Sequence, residues 1–354
     1  MSVDAILAAL GQVIDPELQR PVTELDMVRD VEIEDGVVSL TIVLTVAGCP
    51  LRDSFERQVE QALADVPGVR GFSLSFGVMT PEERQALTTK LRGGVERDTT
   101  IRLPSDCRVL AVASGKGGVG KSTLTANLAV AFARLGRRVG ILDADIYGHS
   151  IPHILGIHQK PVAVDQMIVP PVKDGLKLMS IGFFLDGNEP VMWRGPMLHR
   201  ALEQFLTDVH WGEIDVLVVD MPPGTGDISI SLGQLLPRAE VVVVTTPQKL
   251  AQDVASRAAS MARKTNMRLL GVIENMTGDV FGHGGGAALA EELDVPLLGQ
   301  VPLDPLLREQ GDEGVPIVSA LPDTDSAQAI VAIAEAIAAH REAGSIIKSL
   351  PLVS

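Results

Sequence analysis

The sequence predicts an α/β fold, a doubly wound and mainly parallel sheet, preceded by a small α+β domain. Three observations carry this. Between Arg108 and Pro302, six short Val/Ile/Leu runs recur, separated by helix-length stretches. Continuous apolar runs alternating with helices are strands buried on both faces of a parallel sheet built from βαβ units. Before residue 85 the order differs: helix, paired strands, helix, strand. Finally, 354 residues with 46% hydrophobic and 21% charged side chains suit two globular domains at roughly 150 residues each.

The elements follow in order. VDAILAALGQV at 3–13 reads as an amphipathic helix, and 28–34 and 37–45 as two strands around the turn Asp35-Gly36, a hairpin signal. A helix is expected from Leu51 to about Asp65, then a strand, GFSLSFGVM, at 71–79. The polar stretch 80–106 lacks a sustained apolar period and reads as a helical turn or two and then a linker. The expected organisation is a small α+β domain at 1–85, a linker at 86–106 and an α/β domain at 107–354. The larger domain takes its strands from RVLAVAS (108–114), RVGILDAD (138–145), DVLVVDMP (215–222), EVVVVTTP (240–247), RLLGVIEN (268–275) and PLLGQVP (296–302), and its last helix from about 325–341.

Charge excludes one class of partner. The chain carries 30 Lys and Arg against 45 Asp and Glu, a net charge of −15, and residues 1–85 alone hold 6 basic and 15 acidic residues, a net of −9. Nonspecific nucleic-acid binding rests on a basic surface that displaces counterions from phosphates, so no nucleic-acid partner is expected. Two cysteines, Cys49 and Cys107, make no disulfide framework. The start, MSVDAILAAL, has no basic residue ahead of its apolar stretch. No 18-residue apolar run is present. The expectation is a cytoplasmic protein without stable membrane association.

The strongest motif is SGKGGVGKST at 114–123, between a predicted strand and a predicted helix. It fits G-x-x-x-x-G-K-[ST] with Gly115, Gly120, Lys121 and Ser122. Such a loop lets backbone N–H groups close around phosphate oxygens at the positive end of a helix. The candidate nucleotide-binding residues are Gly115, Lys116, Gly117, Gly118, Val119, Gly120, Lys121, Ser122 and Thr123. Lys121 is expected on the β- and γ-phosphates of ATP and the Ser122 hydroxyl on Mg²⁺. Asp143 and Asp145 close one strand, and Asp220 closes another ahead of the Pro/Gly-rich PPGTGD. Acidic residues at the ends of hydrophobic strands suit Mg²⁺, held directly or through water, so Asp143 and Asp220 join Ser122 as its candidate ligands. His149, His153 and His158 have no carboxylate or thiol at ligand spacing and are not read as a metal site.

GKGGVGKS, with DADIYG and DMPPGTGD downstream, resembles the deviant phosphate-loop ATPases that include MinD, ParA and the Mrp/ApbC-type iron–sulfur cluster carriers. The segments DADIYGHSIP, MWRGPM and FGHGGG are similar to the Mrp/ApbC carriers in particular. Asp15-Pro16-Glu17 and LTVAGCPL at 44–51 resemble the small iron–sulfur assembly domain often fused to them. The resemblance implies ATP hydrolysis in a nucleotide-sandwich homodimer, with Lys116 and Lys121 on the transferred phosphoryl group, Lys116 acting across the dimer. It implies that Asp145 orients the attacking water and Asn275 contacts adenine. It also implies an iron–sulfur cluster as cargo, and apo iron–sulfur proteins or an assembly scaffold as partners.

Members of that family place a C-x-x-C pair shortly after the ENM segment, and two subunits bridge one cluster with it. This chain reads ENMTGDVFGHGGG there, without either cysteine. Cys49 is the candidate substitute. It precedes Pro50 and a predicted helix, so an N-cap thiol with a lowered pKa is expected, suited to iron or a cluster. Cys107, at the junction of linker and sheet, is read as incidental. Two other functions remain open at this stage: a MinD/ParA-like positioning ATPase, and an ATPase adaptor in cluster assembly that no longer binds a cluster itself.

Overall fold

The computed structural model describes residues 2–45, 52–91, 101, 103–146, 148–184 and 195–344. The chain divides into two compact units, 1–100 with 161–172 and 207–212, and the remainder.

The first unit is built on α1 (Val3–Leu10), β1 (Val28–Glu34), β2 (Val37–Leu44), α2 (Arg52–Ala64), β3 (Gly71–Val78) and α3 (Pro81–Leu91). β2 is central, antiparallel to β1 and parallel to β3. The predicted hairpin forms with both Asp35 (φ 48) and Gly36 (φ 84) left-handed. That is the two-residue turn whose twist matches paired strands. α3 is longer than the helical turn or two expected from the sequence, and a capping box accounts for its start. The Thr80 hydroxyl accepts the Glu83 N–H, while the Glu83 carboxylate accepts the Thr80 N–H at 2.8 Å. Leu87 then buries in this unit's core, so the chain is still part of the unit where a linker was expected to begin.

The second unit follows as β4 (Arg108–Ser114), α4 (Lys121–Arg134), β5 (Val139–Asp143) and α5 (Ile151–Ile154), and then the chain leaves it for a hairpin, β6 (Val162–Val164) and β7 (Met167–Val169). It continues with β8 (Val172–Lys173), β9 (Leu176–Ser180), α6 (Gly195–Thr207), β10 (Val216–Asp220), α7 (Asp227–Leu235), β11 (Glu240–Thr245), α8 (Lys249–Lys264) and β12 (Arg268–Thr277). The last elements are α9 (Gly285–Leu293), β13 (Leu297–Pro302), α10 (Pro305–Asp312), α11 (Ile317–Ala320) and α12 (Asp325–Gly344). The sheet order is β13-β12-β11-β4-β10-β5-β9-β8, and every pairing from β13 to β9 is parallel. This is the doubly wound sheet the sequence predicts. β4, β5 and β10 are buried almost throughout, as both-face burial requires.

Two elements escape the sequence reading. β9 (LKLMS) interrupts its apolar pattern with a lysine, yet it pairs along the whole of β5. The β6–β7 hairpin, encoded far downstream, belongs to the first unit. Val164, Met167 and Val169 enter the same apolar cluster as Leu40, Phe55 and Leu87, and the Thr88 hydroxyl donates to the Val164 carbonyl at 3.2 Å.

Candidate nucleotide site

β4 delivers the chain into the glycine loop, and α4 leaves it at Lys121. Gly115 and Gly120 are held by close approach. A Cβ on Gly115 would collide with the α8 backbone at Val254 and Ala255, and one on Gly120 with the Asn275 amide. Gly120 is also left-handed (φ 80), a conformation that favours glycine. Gly117 and Gly118 face open space, where phosphate oxygens can reach their N–H groups. The Lys116 carbonyl accepts the Ser114 hydroxyl at 3.1 Å, and Lys116 makes no ion pair among the described residues. Thr123 is half-buried, its carbonyl bonded by Asn127 at 2.9 Å.

The carboxylates converge because the strands are in register. Asp220 of β10 pairs directly with Asp143 of β5, so their side chains arise side by side at the carboxyl end of the sheet. Both are fully buried. Lys121 Nζ lies 2.8 Å from Asp220 and 3.5 Å from Asp145. Asp220 also accepts the Ser122 hydroxyl at 2.6 Å and the Thr125 hydroxyl at 2.8 Å, while Asp143 accepts the Ser180 hydroxyl at 3.0 Å. Asp145 accepts the Gly148 N–H at 3.1 Å.

Burial, reinforced by the neighbouring Asp220 charge, pushes Asp143 up to about 8. Burial pushes Asp220 up as well, against Lys121 and the two hydroxyls, which pull it down. Lys121 in contact pulls against that rise at Asp220, and Asp143 keeps its proton near neutral pH. Asp143, Asp145 and Asp220 outnumber the one ammonium beside them among the described residues, and Asp143 holds its proton through burial and for want of positive charge. An all-oxygen donor set of Ser122, Asp143 and Asp220 therefore fits a hard divalent cation such as Mg²⁺.

Asn275, at the end of β12, lies behind the loop and is 2% exposed. Its Nδ2 donates to the Val119 carbonyl at 2.8 Å, and its Oδ1 is buried without a partner. The structure thus brings Gly115–Thr123, Asp143, Asp145, Asp220 and Asn275 to one end of the sheet. Cys49 lies outside the described residues. Cys107 is half-buried, its thiol on the Arg108 carbonyl.

Sequence reasoning missed Thr125, Ser180 and Glu274. Thr125 had a signal, a hydroxyl one helical turn after Lys121. Ser180 had none without β9. Glu274 is fully buried and accepts the N–H groups of Gly284 and Gly286 at 3.3 and 3.0 Å, as well as the Gln300 amide.

Loop, lysine and strand-end aspartates together make this a P-loop nucleoside triphosphatase. The chain belongs to the NUBPL iron-transfer P-loop NTPase family, whose model matches residues 107–338. Residues 3–73 match an iron-sulfur cluster assembly protein family. A relative from Mycobacterium leprae, named an iron-sulfur cluster carrier protein, is 51% identical over 95% of this chain and 93% of its own. Among solved structures, a nucleotide-binding protein from Archaeoglobus fulgidus in complex with ADP is 38% identical, with a TM-score of 0.52 over 58% of this chain and 86% of that one. MinD of Pyrococcus horikoshii complexed with Mg-ADP is 25% identical, with a TM-score of 0.53 over 68% of this chain and all of that one.

Proposed function

We propose that this chain is an ATP-hydrolysing iron–sulfur cluster carrier that delivers clusters to apoproteins, gated by nucleotide in a homodimer. The observation that carries the nucleotide half is the contact of Lys121 with Asp220, which Ser122 shares. Lysine, hydroxyl and strand-end carboxylate stand within one hydrogen-bonded group, at the mouth of a glycine loop whose outer glycines, Gly117 and Gly118, are exposed. Bound Mg²⁺ would supply charge neutralisation at the phosphates. Lys121 exchanges its carboxylate partners for phosphate oxygens, Gly117 and Gly118 offer N–H groups, and Asp145 orients the attacking water. The orphaned Asn275 Oδ1 has a free acceptor for the adenine amino group. Lys116, with no ion pair among the described residues, is available to a second copy's phosphates.

The cargo half rests on family membership and on the carrier relatives at 51% identity. Cys49 is the proposed thiolate. A second reading has one observation in its favour: with two cysteines in the whole chain and none after Asn275, the protein would serve as an adaptor in cluster assembly. Anaerobic reconstitution decides between them, with iron and sulfide counted per chain for wild type and Cys49→Ala. Iron and sulfide that disappear in the variant support the carrier. A wild type that binds ATP yet stays colourless overturns it in favour of the adaptor.

A further inference from the structure

We propose that Glu274 is a positioning residue for the nucleotide site, acting through its chain neighbour Asn275. This rests on the nucleotide-binding reading above and extends it to a residue that touches neither phosphate loop nor nucleotide. Adjacent residues on a strand point to opposite faces. On one face of β12, Asn275 holds the Val119 carbonyl at 2.8 Å and lies so close to Gly120 that no other residue fits there. On the other face, the Glu274 carboxylate is fully buried and makes no ion pair among the described residues. Three neutral donors hold it instead: the Gly284 and Gly286 N–H groups at the start of α9, and the Gln300 amide from β13.

The strand end departs from regular strand geometry beside Asn275. Met276 is left-handed (φ 61), unfavourable for a side chain of its kind, and the register with β13 shifts between Asn275 and Thr277. The approach of α9 is close as well, since a Cβ on Gly286 would collide with that of Glu274. The carboxylate therefore fixes where the strand ends, and that fixes where Asn275 meets the loop. The same carboxylate ties down the far side of the TGDVFGHGGG segment, so that segment and the phosphate loop share one anchor.

The test is a double-mutant cycle read in nucleotide affinity, with Mg-ATP and Mg-ADP titrated calorimetrically into wild type, Glu274→Gln, Asn275→Ala and the double variant. Glutamine keeps the shape but places a donor against donors. Glu274→Gln is expected to weaken ATP about tenfold, and the double variant to bind no more weakly than Asn275→Ala alone. A purely structural glutamate would lower the melting temperature, leave the dissociation constant unchanged and add nothing to the cycle, which overturns the proposal. So does a full multiplicative loss in the double variant. Should Glu274→Gln not fold, Gln300→Leu removes a single donor from an exposed position and is expected to weaken ATP about threefold; unchanged affinity there overturns the proposal as well. A wild type that binds no nucleotide overturns the site reading and this inference together. A wild type that binds normally beside an unaffected Glu274→Gln overturns this inference alone.

Discussion

Among the described residues, Lys121 is the single ammonium beside Asp143, Asp145 and Asp220, at 2.8 Å from Asp220 and 3.5 Å from Asp145. Lys121→Ala leaves buried carboxylates without their cation and the phosphates without their proposed main charge partner. It is expected to abolish Mg-ATP binding in calorimetry and phosphate release in turnover assays. Lys116→Ala touches no ion pair among the described residues, so ATP affinity should stay within about threefold, while hydrolysis falls about a hundredfold or more if its charge acts in the transition state. Unchanged turnover in that variant would remove the trans-acting role. The phosphate loop itself was legible in the sequence, because glycine spacing encodes backbone geometry. Asn275's hold on Val119 was not, since nothing local to residue 275 shows that the loop 156 residues upstream packs against it.

At the scale of elements, the β6–β7 hairpin is the informative case. Met167 is encoded after the phosphate loop yet packs in the first unit's core. Met167→Ala should cost about 2–4 kcal/mol through lost burial and a residual cavity. The loss should be read as faster hydrogen exchange in α3 and β2, with exchange in β4 and α4 unchanged. Within the same unit, Glu17 is pushed up to about 7 by burial and by the Asp15 charge. Its unfolded value lies lower, near 4.5, so the unfolded chain ionises first as pH rises. The stabilising contribution is complete in acid and is lost as pH climbs through 7. Glu17→Gln should therefore flatten the decline of this unit's melting temperature between about pH 5 and 8; parallel profiles for variant and wild type would refute this. Periodicity revealed the six strands around the sheet because each carries a short apolar run, buried on both faces in β5 and β10. It missed β9, whose lysine breaks the pattern, and shortened α3, which stands on a capping box and a few buried side chains rather than a sustained apolar stripe. The hairpin's membership of the first unit is a tertiary fact that no local window contains.

For the whole molecule, the net charge of −15 opposes the proposed homodimer. Bringing them together doubles that charge in one particle, and the repulsion is long-ranged, falling off over a Debye length of about 10 Å at 0.1 M salt. The proposed nucleotide-sandwich dimer would also gather two triphosphates, which Lys116, Lys121 and Mg²⁺ would neutralise locally while the remaining acidic surface still repels. Added salt screens that remaining repulsion more than it weakens the enclosed contacts at the nucleotide. ATP-dependent dimerisation, followed by light scattering with a slowly hydrolysed ATP analogue and Mg²⁺, is therefore expected to tighten as ionic strength rises from about 0.05 to 0.3 M. An association driven by a basic surface on an acidic partner would weaken over the same range. Lys116→Ala should remain monomeric at every salt concentration, because the charge proposed to cross to the partner's phosphates is gone. A dimer that forms equally well without nucleotide, or that survives Lys116→Ala with undiminished affinity, would show that the copies associate through another surface and that nucleotide does not gate the assembly.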